Sequence, residues 1–149
     1  MMNAAELQRY LHRHIPISDA MGITVTTASA AVVELRAALA PNLNHRSTAF
    51  GGSVASLAVL AAWSVVRVGL DGITPVPQIV VQRTSIEYAA PVWSDFDAVC
   101  RRPPEEVWQR FMQAFTRRGR GRLRLAVDIR CAGEPVGHLT GEFVAMTGA

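Results

Sequence analysis

The sequence predicts an α+β fold in which an antiparallel sheet of about six strands curls around one long helix. Two observations carry this. The stretch Asn42 to Arg67, NLNHRSTAFGGSVASLAVLAAWSVVR, turns apolar on every side after its Gly pair, and a helix apolar all round must be wrapped by protein or lipid. The flanking segments instead alternate apolar and polar residues, as half-buried strands do, and most are joined by short turns. A sheet wrapped round the helix satisfies both.

In chain order, Ala4 to His14 reads as a short helix with Leu7, Tyr10 and Leu11 on one face, ended by Pro16. Met21 to Thr27 and Val32 to Leu39 are strand-like and fit a hairpin across Ala28-Ser29-Ala30. Ser47 and Thr48 are the expected N-cap residues of the central helix, and nothing breaks it until Gly69. After a loop from Asp71 to Pro77, Ile79 to Tyr88 is the longest β-rich run, and Asp95 to Arg101 is a further strand. Pro103 to Thr116 is a second helix, with acids in its first turn, Arg117 and Arg118 in its last and Gly119 just beyond. Arg122 to Cys131 alternates strictly, Ala132 to Pro135 turns the chain, and Val136 to Met146 returns. No repeat or boundary interrupts residues 1–149, so one domain is expected.

Half of the 149 residues are hydrophobic and 18% are charged, which excludes a disordered chain. All 15 basic residues are arginines, and five of them (Arg117, Arg118, Arg120, Arg122, Arg124) fall within eight positions. Outside that run, ten arginines face 12 acids, a balance of −2. Such local basicity points to a bound anion rather than a nucleic-acid coat, and no aromatics interleave with the arginines to stack bases. Cys100 and Cys131 lack metal-ligand spacing and read as reduced thiols of a cytoplasmic protein; His12, His14 and His138 are scattered, so no metal is expected. The start of the chain is amphipathic and of mixed charge, unlike a signal peptide. Ala49 to Val66 approaches the length of a membrane span, yet it holds two Gly and three Ser, and the sequence after it alternates like a soluble sheet. No membrane partner is expected.

A family resemblance rests on the central block. Asn44, then Phe50-Gly51-Gly52, then Leu57-Ala58 match in spacing the Asn…His-Gly-Gly pattern of hot-dog thioesterases of the phenylacetate-pathway type. Tyr88-Ala89-Ala90-Pro91-Val92 is also similar. Nearly the whole chain resembles the thioesterase domain at the C-terminus of YiiD-type acetyltransferase-like proteins, through Ile15-Pro16-Ile17-Ser18, Met21-Gly22, Asn44-His45-Arg46, Thr48-Ala49-Phe50-Gly51-Gly52-Ser53 and Ser56-Leu57-Ala58-Val59-Leu60. The resemblance implies a hot-dog fold, an acyl thioester of coenzyme A or of an acyl carrier protein as partner, no cofactor beyond the coenzyme A of the substrate, and a homodimer or dimer of dimers. Two departures bear on mechanism: Phe50 stands where the phenylacetate-type enzymes have His, and Val59 stands where they have a helix carboxylate.

Thioester hydrolysis needs an oxyanion stabiliser and a group to position or deprotonate water. The backbone N–H groups of Gly51, Gly52 or Ser53, at the positive end of the helix, are the expected stabiliser, with Phe50 and Ser56 beside them as substrate contacts. Asn44 and His45 are the candidates for holding and activating water, with Ser53, Ser56 and Glu87 in reserve; an imidazole is basic at neutral pH. Arg118, Arg120 and Arg122 are candidates for the phosphates of coenzyme A or the acidic face of a carrier protein, or form a solvated edge that discourages sheet pairing. The alternatives are a non-catalytic acyl-thioester sensor, a hot-dog hydratase, disfavoured because no acid lies between Thr48 and Leu70, and an RNA-binding protein.

Overall fold

A computed structural model describes residues 1–148. Six strands, β1 (Ile23–Ala28), β2 (Val32–Ala37), β3 (Gln78–Tyr88), β4 (Phe96–Arg101), β5 (Arg120–Cys131) and β6 (Glu134–Met146), form one antiparallel sheet in the order β1-β2-β4-β5-β6-β3. The sheet wraps helix α3 (Gly51–Gly69), which touches β2, β3, β4, β5 and β6. Alternation decides which side chains meet it. Leu123, Leu125, Val127, Ile129 and Cys131 of β5 are buried, while Arg122, Arg124, Ala126 and Asp128 are exposed on the other face. Although long and apolar enough to cross a bilayer, α3 is a core helix: Leu57, Ala58, Ala61 and Ala62 are fully buried against the sheet side chains.

The enclosure is incomplete along one stripe. Ser56 is exposed and Ala55, Val59 and Trp63 are half-buried, so the helix is not covered all round as its composition predicts. Helix α1 (Ala4–His14) and the short α2 (Ile17–Ala20), which has no counterpart in the sequence reading, lie beside this stripe next to β1.

The two sheet edges differ. On β1, the Val25 N–H donates to Gln8 Oε1 at 2.9 Å, and His12 Nε2–H donates to the Ile23 carbonyl at 2.7 Å. Side chains of α1 thus occupy the backbone groups of that edge. On β3, 11 residues long and paired only with β6, the one comparable contact among the described residues is near its start, where the Trp63 indole N–H donates to the Ile79 carbonyl at 2.9 Å, and Val80 and Val81 are 42% and 43% exposed.

Helix α4 (Glu105–Arg118) follows the predicted punctuation. Its C-cap is Gly119 at φ 70°, where the N–H reaches the Phe115 carbonyl at 2.8 Å. Its apolar face, Trp108, Phe111 and Phe115, is buried. Trp108 lies so close to Gly69 that a Cβ there would come within 2.3 Å of the indole.

Candidate functional site

Helix α3 begins differently from the sequence expectation. Its N-cap is Phe50, with no side-chain cap. Ser47 and Thr48 belong to a tight turn before it: Ser47 takes φ 61°, and the Asn44 N–H donates to the Thr48 carbonyl at 2.8 Å. The helix start is fixed instead by the Phe50 N–H, which donates to the Asn42 carbonyl at 2.7 Å. Asn42 is itself buried, its Nδ2 donating to the carbonyls of Met21 and Ala38.

The first turn of α3 leaves two free donors. The Ser53 and Val54 N–H groups reach back to the Phe50 carbonyl at 2.9 and 3.1 Å, whereas those of Gly51 and Gly52 have no acceptor among the described residues. They stand at the positive end of a 19-residue helix dipole. A Cβ on Gly52 would lie 2.4 Å from the Phe50 ring, whereas one on Gly51 would make only ordinary contact with the Tyr88 ring, at 3.5 Å.

Beside these amides lies a cleft of about 320 Å³ whose wall includes Asn44, Thr48, Gly51, Val54, Tyr88 and Val92. The Tyr88 hydroxyl donates to the Gly51 carbonyl at 3.1 Å. Tyr88 carries no assigned role in the sequence reading; the signal is its place at the end of the longest β-rich run, just before Ala89-Ala90-Pro91. Among the described residues, no carboxylate lines this cleft.

The predicted polar residues are spread more widely. Asn44 lines the cleft, but its side chain is committed: Nδ2 donates to Thr48 Oγ1 and the Ala49 carbonyl, and Oδ1 accepts from the N–H groups of Arg46 and Thr48. His45 is exposed at the tip of the same turn, without a side-chain hydrogen bond among the described residues. Ser56 Oγ–H donates to the Gly52 carbonyl at 2.7 Å, and Ser53 is half-buried in the first turn. Glu87 pairs in register with His138, on the face turned away from α3.

Arg118, Arg120 and Arg122 are exposed at the corner between α4 and β5. Arg120 opposes Met146 of β6, and Tyr88 opposes Gly137 at the other end of that strand. Nine steps of β6 separate the two levels, about 30 Å at a strand's rise of ~3.3 Å per residue. Within one chain the arginines and the free amides therefore sit at opposite ends of the sheet.

Residues 4–147 match the family described as "Putative thioesterase (yiiD_Cterm)". The chain belongs to this family. Solved structures agree with the assignment. The chain is similar to a protein of unknown function from Chlorobaculum tepidum, with 28% identity, TM-score 0.91, and 97% of this chain and 94% of that one covered. It is similar to a putative thioesterase from Shewanella oneidensis, with 26% identity, TM-score 0.81 and 96% of each chain covered. It shares the fold of a mutant form of the phenylacetic acid degradation protein PaaI from Thermus thermophilus, at 18% identity and TM-score 0.63, covering 89% of this chain and 99% of that one. No curated protein matches the chain significantly. The fold is the hot-dog fold of these thioesterase relatives, with α3 as its central helix.

Proposed function

We propose that the chain binds an acyl thioester of coenzyme A or of an acyl carrier protein at the N-terminus of α3 and hydrolyses it. The observation that carries this reading is the pair of unpartnered amides at Gly51 and Gly52, opening on a cleft at the positive end of the helix. Such donors stabilise the oxyanion that forms when water attacks a thioester carbonyl. His45 is the proposed proton acceptor, and Asn44 sets the turn that presents it. No metal ion takes part in this reading. A cytoplasmic location fits the buried core helix and the two buried free thiols.

The β3 edge, contacted by a side chain only at Ile79 among the described residues, supports a two-fold dimer. Antiparallel pairing of β3 with its copy brings the Tyr88 end of one strand beside the Gln78 end of the other. In register with Gln78 come Met146 and then Arg120, each one strand further out. Three strand spacings of ~4.8 Å place the partner's arginine corner about 15 Å from Tyr88, whose hydroxyl meets the Gly51 carbonyl, and so within reach of the nucleotide end of coenzyme A. The arginines that lie far from the site in their own chain then serve the site of the other.

A second reading, a thioester-binding protein without turnover, is favoured by one observation: no carboxylate among the described residues lines the cleft, and the side-chain hydrogen-bonding groups of Asn44 are all in use. Turnover of acyl-CoA, followed with a thiol-trapping dye, separates the two. Gly51→Pro is the diagnostic variant. Proline is tolerated at the first helical position, and Phe50 already has the extended backbone (φ −60°, ψ 131°) that a following proline requires. It deletes one donor and should lower kcat roughly 10²-fold, while Gly51→Ala, which keeps the N–H, should not. Equal rates for Gly51→Pro and the unaltered protein remove this amide from the mechanism. Tight binding of a thioether analogue with no turnover of any thioester establishes the second reading.

A further inference from the structure

The sheet face turned away from α3 carries charged side chains in rows set by the strand register. Opposed charges on it close into pairs: the Arg36 Nε–H donates to Asp97 Oδ1 at 2.9 Å, and His138 Nδ1 lies 3.1 Å from Asp128 Oδ1. One row departs from this. Glu142 of β6 is opposed in register by Arg83 of β3 on one side and Arg124 of β5 on the other. It forms an ion pair with neither, and both guanidiniums are without a hydrogen bond among the described residues. Arg124 lies on β5, with β4 and β6 on either side, so it does not guard an open strand edge.

The two arginines converge on one pocket of about 120 Å³, which Ser85, Thr140 and Glu142 also line. Ser85 and Thr140 are register partners, and neither hydroxyl has a hydrogen-bond partner among the described residues. Two guanidiniums and two hydroxyls are a donor set that matches the oxygens of a phosphate. Glu142 offsets one of the two charges and leaves the pocket singly positive. Arg124 also borders a larger depression of about 340 Å³, which crosses Ala126 and Val99 and ends at Pro103 and Pro104. Arg101 stands at that end, as does Arg102, which is paired with Glu105 at 2.9 Å. Asp128, paired with His138, forms the side wall. Ala126 continues the row of Ser85 and Thr140. The two depressions thus make one trough from β3 to β4, about 14 Å long at three strand spacings of ~4.8 Å.

We propose that this trough binds a phosphate monoester. Arg83 and Arg124 hold the phosphate, with Ser85 and Thr140 donating to it. The organic body lies over Ala126 and Val99, where the Asp128 carboxylate accepts a hydrogen bond from it. Sugar phosphates and nucleoside monophosphates share this chemistry. The site is on the opposite face of the sheet from the cleft at Gly51 and uses none of Arg118, Arg120 and Arg122. It therefore stands independently of thioester hydrolysis.

Calorimetry with inorganic phosphate, ribose 5-phosphate and AMP tests it, at matched ionic strength in chloride. The parent protein carries Arg118→Ala, Arg120→Ala and Arg122→Ala, so that the corner between α4 and β5 contributes no phosphate binding. One of the two esters should bind roughly three- to tenfold tighter than inorganic phosphate, the worth of one net hydrogen bond. Which of them does so identifies the body as sugar or nucleoside. Arg83→Gln and Arg124→Gln should each weaken all three ligands about tenfold or more, because each removes a charge-assisted contact. Glu142→Gln should instead tighten them roughly two- to fivefold, since it removes a like charge from the pocket. Ala126→Leu should bring the ester down to the affinity of inorganic phosphate and leave the latter unchanged. No binding of any ligand at millimolar concentration overturns the proposal, as does affinity that is unmoved by Arg83→Gln and Arg124→Gln. Weaker binding in Glu142→Gln would make the row a structural ion-pair ladder and overturn it equally. Esters no tighter than inorganic phosphate overturn the placement of the organic body.

Discussion

Asn44 and His45 are neighbours in sequence with opposite circumstances. Asn44 ties the Asn44–Thr48 turn through two donated and two accepted hydrogen bonds of 2.8 to 3.2 Å. That turn leads straight into the N-cap at Phe50, so Asn44→Ala should lower stability by about 1–3 kcal/mol and reduce activity because the amides lose their setting. Thermal unfolding of the variant checks this, and an unchanged Tm would mean that the turn holds without its side-chain bonds. His45 is exposed and makes no side-chain hydrogen bond among the described residues. His45→Ala should therefore leave stability within ~0.5 kcal/mol, while kcat falls at least about tenfold if the imidazole accepts the proton. A full rate in a folded His45→Ala protein strikes it from the mechanism. Cys100 illustrates the inert case: burial, with a smaller effect of the Asp128 charge, pushes its thiol up to about 12, so it supplies no thiolate at neutral pH.

At the scale of elements, packing overrides local preference where chains approach most closely. Gly69 lies in the last turn of α3, where alanine would ordinarily raise helix stability by roughly 0.5–1 kcal/mol. Here a Cβ would come within 2.3 Å of Trp108, whose ring is also covered by the Arg102 guanidinium at 4.5 Å. Gly69→Ala should thus be net destabilising, by about 1–3 kcal/mol, measured by denaturant unfolding; a stabilised variant would show that the indole moves aside freely. Such contacts are invisible in a sequence, which shows a helix-ending glycine but not the ring that requires it. Elements whose signals are local were legible. The amphipathic face and capping of α4, the alternation of β5 and the all-apolar character of α3 each followed from periodicity and punctuation. The N-cap did not, because Ser47 and Thr48 have good capping side chains that a preceding Asn recruits into its own turn. Tyr88 was unreadable as part of the cleft for a similar reason: its contact with Gly51 spans 37 residues and depends on how β3 crosses α3.

At the scale of the whole molecule, the contrast between the sheet edges carries the argument for assembly. An unprotected strand edge invites pairing, and proteins that stay monomeric usually block it. Here α1 spends Gln8 and His12 on the backbone of β1, whereas on β3 the one such contact among the described residues is the Trp63 indole on the Ile79 carbonyl near its start. The proposed dimer through β3 rests on this contrast. Val80→Lys with Val81→Lys, which sets like charges against each other across the two-fold, should give a folded monomer by light scattering. A monomeric unaltered protein at micromolar concentration would end the idea. The dimer also predicts how sites are shared. Arg118→Ala with Arg120→Ala and Arg122→Ala should raise KM for acyl-CoA and spare kcat, since a phosphate contact holds substrate and transition state equally. Acyl-pantetheine, which lacks the nucleotide, should be unaffected. Mixing this triple variant with Gly51→Pro gives heterodimers that distinguish the geometries. If each site joins the amides of one chain to the arginines of the other, one of the two sites in the heterodimer has both unaltered Gly51 and unaltered arginines, and half the activity returns at the original KM. If both belong to one chain, no intact site exists, and only turnover with the raised KM of the arginine variant appears.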